Sequence, residues 1–225
     1  MQERRRSEKP AARSPSGDAV KVPAQYWKDL EQRDIREVCE NAFAINHPSD
    51  GLLLPFLKEN LLVDKRTHCL YRQVQGQWDR IDNPLLELLC LVYLLNAGAQ
   101  SLSQEMVSVQ ELKSAHFFKG THELKIRPLL ARYGNDLEGF KRAAEGVGGE
   151  ALDLADAAYR VLAFPKVPLY YPLYYLFWKG DQEFVPSLSI LFDRSVEVHL
   201  AADAIWGLVN LVSDVLIMGD SNVLL

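Results

Sequence analysis

The chain has 225 residues, 48% hydrophobic and 24% charged, with a formal net charge of −5. Such a composition supports a sizeable core without disulfide or metal staples. The excess of acid speaks against a nucleic-acid partner, which needs a concentrated basic face.

Residues 1–20 ("MQERRRSEKPAARSPSGDAV") are polar and nearly free of large apolar side chains. They cannot bury enough surface to offset ordering entropy, so a disordered basic tail is expected over 1–20 and a single domain over 21–225. Arg4, Arg5, Arg6, Lys9 and Arg13 in that tail read as a solvated leader. No apolar segment follows them, so no signal peptide is predicted. "AQYWKDLEQR" and "DIREVCENAF" predict two short helices, the second opened by Asp34 with Glu37 three residues on. Cys39, Cys69 and Cys90 carry no CxxC spacing, which predicts a reduced, soluble, cytoplasmic setting.

"LLVD" and "CLYRQV", around a polar turn, predict a hairpin or two neighbouring strands. "NPLLELLCLVYLLNAG" predicts a central buried helix, with Asn83 as N-cap, Pro84 in the first turn and Gly98 past the end. "ARYGNDLEGFKRAAEGVGG" repeats that grammar. Asn135 reads as the cap, Leu137, Phe140, Ala144 and Val147 as the inward stripe, and Gly146, Gly148 and Gly149 as the stop. From Ala158 the period falls to two, and "AYRVLAF", "LYYPLYYLFW" and "SLSILFD" read as strands. "DAIWGLVNLVSDVLI" closes as an amphipathic helix, with Ile205, Leu208, Val209, Val212 and Leu216 inward and Asp203 as cap. Helices and strands come in blocks, which predicts an α+β fold with a mainly antiparallel sheet packed against helices. The longest apolar run, Val161 to Trp178, is broken by three prolines and is not a membrane span.

The stretch Leu169 to Phe184 ("LYYPLYYLFWKGDQEF") is the most informative. On a strand, Leu169, Tyr171, Leu173 and Tyr175 share one face, and Tyr170, Pro172, Tyr174 and Trp178 the other. Pro172 cannot donate to a ladder, so an interruption with a bend is expected there. The tyrosines either pack the core or line a groove, offering flat apolar faces with hydroxyls that need partners. Asp181 and Glu183 follow, and Asp193 and His199 come soon after. Three carboxylates converging at one end of the sheet would hold a hard cation or split their pKa values for acid–base work. The plainer reading makes this a polar turn, with Glu183 paired to Arg194 or Lys179 and His199 a buried hydrogen-bonding histidine. No Walker loop, GxGxxG or GxSxG occurs, and neither His68-Cys69 nor His116 with His122 has zinc-ligand spacing.

Several segments together carry a resemblance: "YLLNAG", "VSVQELKSAHFF", "RYGNDLEGFKRAAEGVGG" and "FPKVPL…FWKGDQEFVPSLSILFDRSVEVHLAADAIWGL". From about Tyr26 to Val215 the chain resembles a prokaryotic domain-of-unknown-function family, number 3786. The matching block is Pro165, Val167, Pro168, Trp178, Gly180, Asp181, Glu183, Phe184, Leu191, Phe192 and Asp193. The tyrosine segment is longer than usual, Ser114-Ala115 stand where a glycine pair often occurs, and His199 replaces a commonly aromatic position. The resemblance implies an uncharacterised accessory domain of anaerobic bacteria and archaea. Some members carry a four-cysteine iron–sulfur module also seen in corrinoid proteins, which implies service to corrinoid or iron–sulfur methyl transfer; that module is absent from this sequence.

These readings lead to a soluble binding or accessory domain for a cofactor-bearing protein or a small ligand, with no nucleic acid or membrane and no cofactor assigned. Trp178, Asp181, Glu183 and Asp193 form the expected lip, Tyr170, Tyr174 or Tyr175 the wall, and His199 lies nearby. The alternative is a metal-assisted enzyme using Asp181, Glu183 and Asp193 with His199, and a third reading makes the tyrosine strip a protein–protein contact.

Overall fold

The structure, a computed structural model, describes residues 21–177 and 184–219. The expected tail lies outside these residues, as do Trp178, Asp181 and Glu183. The first elements are helices α1 (Ala24–Gln32) and α2 (Ile35–Ala42). Asp34 caps α2 by accepting the Arg36 N–H at 2.8 Å, as the sequence predicts. Phe43 ends that helix in the left-handed region, φ 52°.

Five strands follow as an antiparallel meander: β1 (Ile45–His47), β2 (Gly51–Phe56), β3 (Glu59–Asp64), β4 (Cys69–Val74) and β5 (Gln77–Ile81). The expected hairpin is β3–β4, with Leu62 opposite Tyr71. The flanking strands escape a period-two reading because β2 is buried on nearly every residue and contains Pro55, while β5 is mostly exposed. Helix α3 (Pro84–Asn96) then passes through the core, with Asn83 Oδ1 accepting the Leu86 N–H at 3.0 Å. Leu86, Leu89, Leu91, Tyr93 and Leu94 are all buried along it. Each such side chain contributes about 1.5–3 kcal/mol on burial, which offsets the poor amphipathicity of an all-apolar helix.

After β6 (Met106–Ser108) come α4 (Ile126–Tyr133) and α5 (Leu137–Gly146). The cap of α5 is Asp136, one residue later than expected: its Oδ1 accepts the Gly139 N–H at 2.8 Å. With Leu137 as the first helical residue, the side chain at 136 and not that of Asn135 reaches the third turn position. Phe140, Ala144 and Val147 form the buried stripe as read. Gly148 leaves the helix at φ +85°, and a Cβ at Gly149 would stand 2.7 Å from the Ala144 carbonyl oxygen.

The second sheet holds β7 (Glu150–Leu152), β8 (Ala157–Phe164), β9 (Val167–Phe177), β10 (Phe184–Leu188) and β11 (Leu191–Asp193). Its order is β6-β11-β9-β8-β7, with β10 also on β9, and every pairing is antiparallel. The chain closes with the short α6 (Val196–His199) and α7 (Ala202–Met218). Asp203 is not the cap of α7: Ala201 holds that position, and Asp203 bonds the Ala204 N–H from inside the first turn. The stripe Ile205, Leu208, Val209, Val212 and Leu216 is buried throughout.

The two sheets meet where the Leu57 N–H reaches the Ala163 carbonyl at 3.3 Å and Phe56 tilts against Phe164. Helix α3 joins this seam through Tyr93, stacked on Phe164 at 4.4 Å. Helices α1, α2 and α7 pack against α3, and α5 against β8. The result is the α+β fold read from the sequence. None of its described helices is long and apolar enough to cross a membrane.

Pro172 does not interrupt β9. The strand runs through it, and the partner breaks instead. Leu188 pairs with Leu173 and Leu191 with Tyr170, so β10 and β11 are one strand in one register, parted at Ser189-Ile190. Ser189 N–H donates to Pro172 O at 3.2 Å, and the return bond is the one proline cannot make. The missing donor splits the ladder, not the strand that carries it.

Candidate functional site

The tyrosine strip divides cleanly by face. Leu169, Tyr171 and Leu173 are wholly buried toward the helices. Tyr170 and Tyr174 lie on the opposite face, with Tyr174 half-buried and four residues further on, about 13 Å along the strand. Tyr175 lies on β9 opposite Pro186.

Cross-strand pairing builds a row on that outer face. Leu191 stands opposite Tyr170, Tyr170 opposite Arg160, and Arg160 opposite Glu150. Arg160 donates through Nη2 to the Glu150 carboxylate, while its buried Nε has no acceptor among the described residues. Above Tyr170 and Arg160 opens a cleft of about 520 Å³. Leu102, Gln104 and Met106 form one wall, Leu152, Asp153 and Leu154 the other, and Asp193 closes one end. Met106 and Leu154 are 40% and 41% exposed, apolar side chains held in water at the rim.

Asp193 explains why the first wall stands where it does. The carboxylate is 1% exposed. Its Oδ1 accepts the Ser103 and Ser195 N–H groups, each at 2.9 Å, and their hydroxyls at 2.7 and 2.6 Å. Its Oδ2 accepts the Gln104 N–H at 2.7 Å. Burial alone pushes the Asp193 carboxyl up, but the hydrogen bonds from Ser195 and Ser103 outweigh it and hold the group below the usual carboxylate range. Next to it, Arg194 grips Glu105 with a two-pronged ion pair at 2.6 and 2.8 Å. The expected pairing of Glu183 with Arg194 or Lys179 lies outside the described residues.

Glu197 performs the same service one turn later, and sequence reading missed it. It accepts the Lys113 and Ser114 N–H groups at 2.8 and 2.9 Å and the Ser114 hydroxyl at 2.6 Å. Burial pushes the Glu197 carboxyl up, and these bonds outweigh that and hold it low. The signal was present in "DRSVE": acids at Asp193 and Glu197, four residues apart, face a serine-bearing loop. Only the fold shows which loop.

The structure therefore brings together Tyr170 and Asp193 of the expected site. Asp193 pairs with Met106 at the far end of β11, nine residues beyond Phe184, or about 30 Å along extended chain. His199 is also apart from the cleft. It is fully buried in α6, and its Nδ1 accepts the Gly98 N–H at 3.3 Å. Among the described residues, no group of three or more His, Cys, Asp or Glu side chains is placed to hold a metal ion.

Fold and cleft define a two-sheet α+β domain whose outer sheet face carries a walled apolar groove. The chain belongs to the family described as Domain of unknown function (DUF3786), which it matches over residues 34–215. No curated protein and no solved structure matches it.

Proposed function

We propose that the protein is a binding domain and that the groove over Tyr170 and Arg160 is where its ligand or partner segment lies. The observation that carries this reading is Arg160, which lines a cleft with apolar walls and whose buried Nε–H has no acceptor among the described residues. A buried donor without an acceptor costs about 1–3 kcal/mol, which a ligand carrying a carbonyl or carboxylate would recover. Leu102, Met106, Leu152 and Leu154 supply the apolar contact. Asp193 keeps the wall rigid, so the groove is preformed and binding does not have to order it.

Asp193 enters this reading as a wall-builder and not as a ligand-contacting acid. Both its oxygens already accept protein donors, which favours binding over metal-assisted chemistry at this residue. A role in corrinoid or iron–sulfur methyl transfer rests on family resemblance alone.

The test uses wild-type protein labelled with ¹³C at methionine methyls and a library of short aliphatic amides and carboxylates. Saturable shifts of the Met106 methyl that Leu154→Asp abolishes are expected. The reading is wrong if no compound moves that methyl, or if Leu154→Asp, still folded by circular dichroism, binds as before.

A further inference from the structure

The first sheet has a face that the core does not use. Along β3, Leu61 and Val63 pack into the core, so Leu62 and Asp64 point the other way. On that outer face Leu62 stands opposite Tyr71 of β4. Asp64 stands opposite Gly51 of β2, and Gly51 opposite His47 of β1. A Cβ at Gly51 would lie 2.8 Å from Leu62 Cδ1, so the leucine occupies the space this glycine leaves. Trp78 of β5 completes the set: its ring meets that of His47 edge to face, with centroids 6.0 Å apart. Strands β1 and β5 are the two outer strands of the sheet, and a flat sheet would hold them about 19 Å apart. Two side chains cannot close that gap to ring contact, so the sheet curls and this face is concave.

A cleft of about 220 Å³ opens there, lined by the rings of His47, Tyr71 and Trp78, by Leu62, and by Ser49, Asp64 and Arg66. Most of its polar tips are already engaged. His47 Nδ1 bonds the Ser49 hydroxyl at 2.6 Å, and the Tyr71 hydroxyl donates to Thr67 Oγ1 at 3.1 Å. Asp64 is only 6% exposed. Its Oδ1 accepts the Arg66 N–H at 2.8 Å and the Thr67 N–H at 3.4 Å, while no donor among the described residues bonds its Oδ2. Arg66 Nε lies 3.9 Å from Oδ1 on a side chain that is 61% exposed, a pair screened by water that leaves the carboxylate's charge acting on the cleft. The adjacent Lys65 is turned to Asp50, at 2.8 Å.

Three rings and one under-bonded carboxylate oxygen suit a positive charge, but not every cation. A hard metal ion takes about six oxygen ligands, which this cleft does not supply. A primary ammonium carries three N–H donors, and Asp64 Oδ2 is one acceptor. A quaternary ammonium asks for no hydrogen bond at all. Its methyl groups pack on rings and on a side chain such as Leu62, and its charge is drawn to the ring faces, most strongly to that of tryptophan. The cleft has room for such a head group and not for a chain attached to it.

We propose that the concave face of the first sheet binds a free small molecule carrying a quaternary ammonium group. Trp78 and Tyr71 supply the cation–π contact, His47 holds the Trp78 ring by its edge, and Asp64 balances the charge. The site shares no residue with the groove over Arg160, so either can fail without the other.

Choline is the probe, titrated into the full chain while the Trp78 indole N–H resonance is followed by NMR. The comparators are 3,3-dimethylbutanol, which has the same shape without the charge, and ethanolamine, which has the charge without the methyl groups. Choline is expected to saturate the Trp78 shift at least about fivefold more tightly than either. Asp64→Asn keeps an Oδ1 acceptor for the turn and is expected to weaken choline about fivefold, and Trp78→Leu to abolish its binding as read by calorimetry. Phosphatidylcholine vesicles, which carry the same head group on a lipid, are expected not to sediment the protein. Absence of saturation, a comparator matching choline, either variant binding as wild type, or sedimentation with the vesicles would each overturn the assignment. The ranking of the three compounds on wild-type protein decides the matter even if a variant folds poorly.

Discussion

Asp193 and Lys166 are both buried, 1% and 2% exposed, and they are treated very differently by their surroundings. Asp193 collects five hydrogen bonds from Ser103, Gln104 and Ser195. Among the described residues, Lys166 has one carbonyl and one aromatic face. A charge bonded on every side fixes architecture, since its removal strands many donors at once. A charge left half-bonded stabilises little by itself and keeps capacity for an incoming group. The same contrast recurs within one cleft of the second sheet: the Asp193 clamp builds a wall, and the Arg160 Nε–H has no acceptor among the described residues.

Several substitutions and titrations sharpen or break this contrast. The largest expected effect is Asp193→Ala, which leaves three backbone donors, the buried Ser195 N–H and the partly buried Ser103 and Gln104 N–H groups, without their acceptor and should cost about 3–5 kcal/mol in urea unfolding. Glu197→Gln keeps one acceptor for the Lys113–Ser114 loop and should cost about 1–2 kcal/mol by the same measurement. A loss as small for Asp193→Ala as for Glu197→Gln would remove the clamp from the account.

Acid should separate His199 from the carboxylates. Burial, aided by Lys166 and opposed by Asp193, holds the folded His199 pKa below its ordinary 6.5. The unfolded chain then binds the proton first, so stability is full above pH 6.5 and falls as pH drops through the lower folded value. Asp193 and Glu197, also depressed, contribute stability that is present above their ordinary carboxylate pKa and lost only in stronger acid. Thermal denaturation across this range should show two acid steps, and His199→Asn should erase the upper one. The smallest effect expected is that of divalent cations. With the Asp193 oxygens committed to protein donors, magnesium, calcium, manganese and zinc should leave the melting temperature unmoved, and a shift that vanishes in Asp193→Asn would restore the metal reading.

Much of the fold was legible in the sequence because local chemistry decides it. Asn83 and Asp34 cap the helices they were expected to cap, and the period-two stretches became β8, β9 and β10–β11. The meander around β3–β4 was less legible, since the largely buried β2 and the mostly exposed β5 lack a clean alternation. Caps slipped where two candidates adjoin, as at Asn135 and Asp136. Pro172 was read correctly as a missing donor, but which strand would break depends on the partner's register, which the sequence does not display. The site was legible in part. Tyr170 and Asp193 do border one cleft, yet Asp193 proves to be a clamp, and Arg160, Glu197 and Lys166 gain their meaning only from residues distant along the chain.

The most direct test of the contrast between saturated and unsaturated charges is the urea unfolding free energy of Lys166→Met beside that of wild type. A methionine keeps the length and apolar stem of the lysine while removing the poorly compensated charge. Stability equal to wild type within about 1 kcal/mol, or higher, is expected. A loss of about 3 kcal/mol or more, comparable to that of Asp193→Ala, would mean that Lys166 is as firmly built into the fold as the clamp is, and would contradict it.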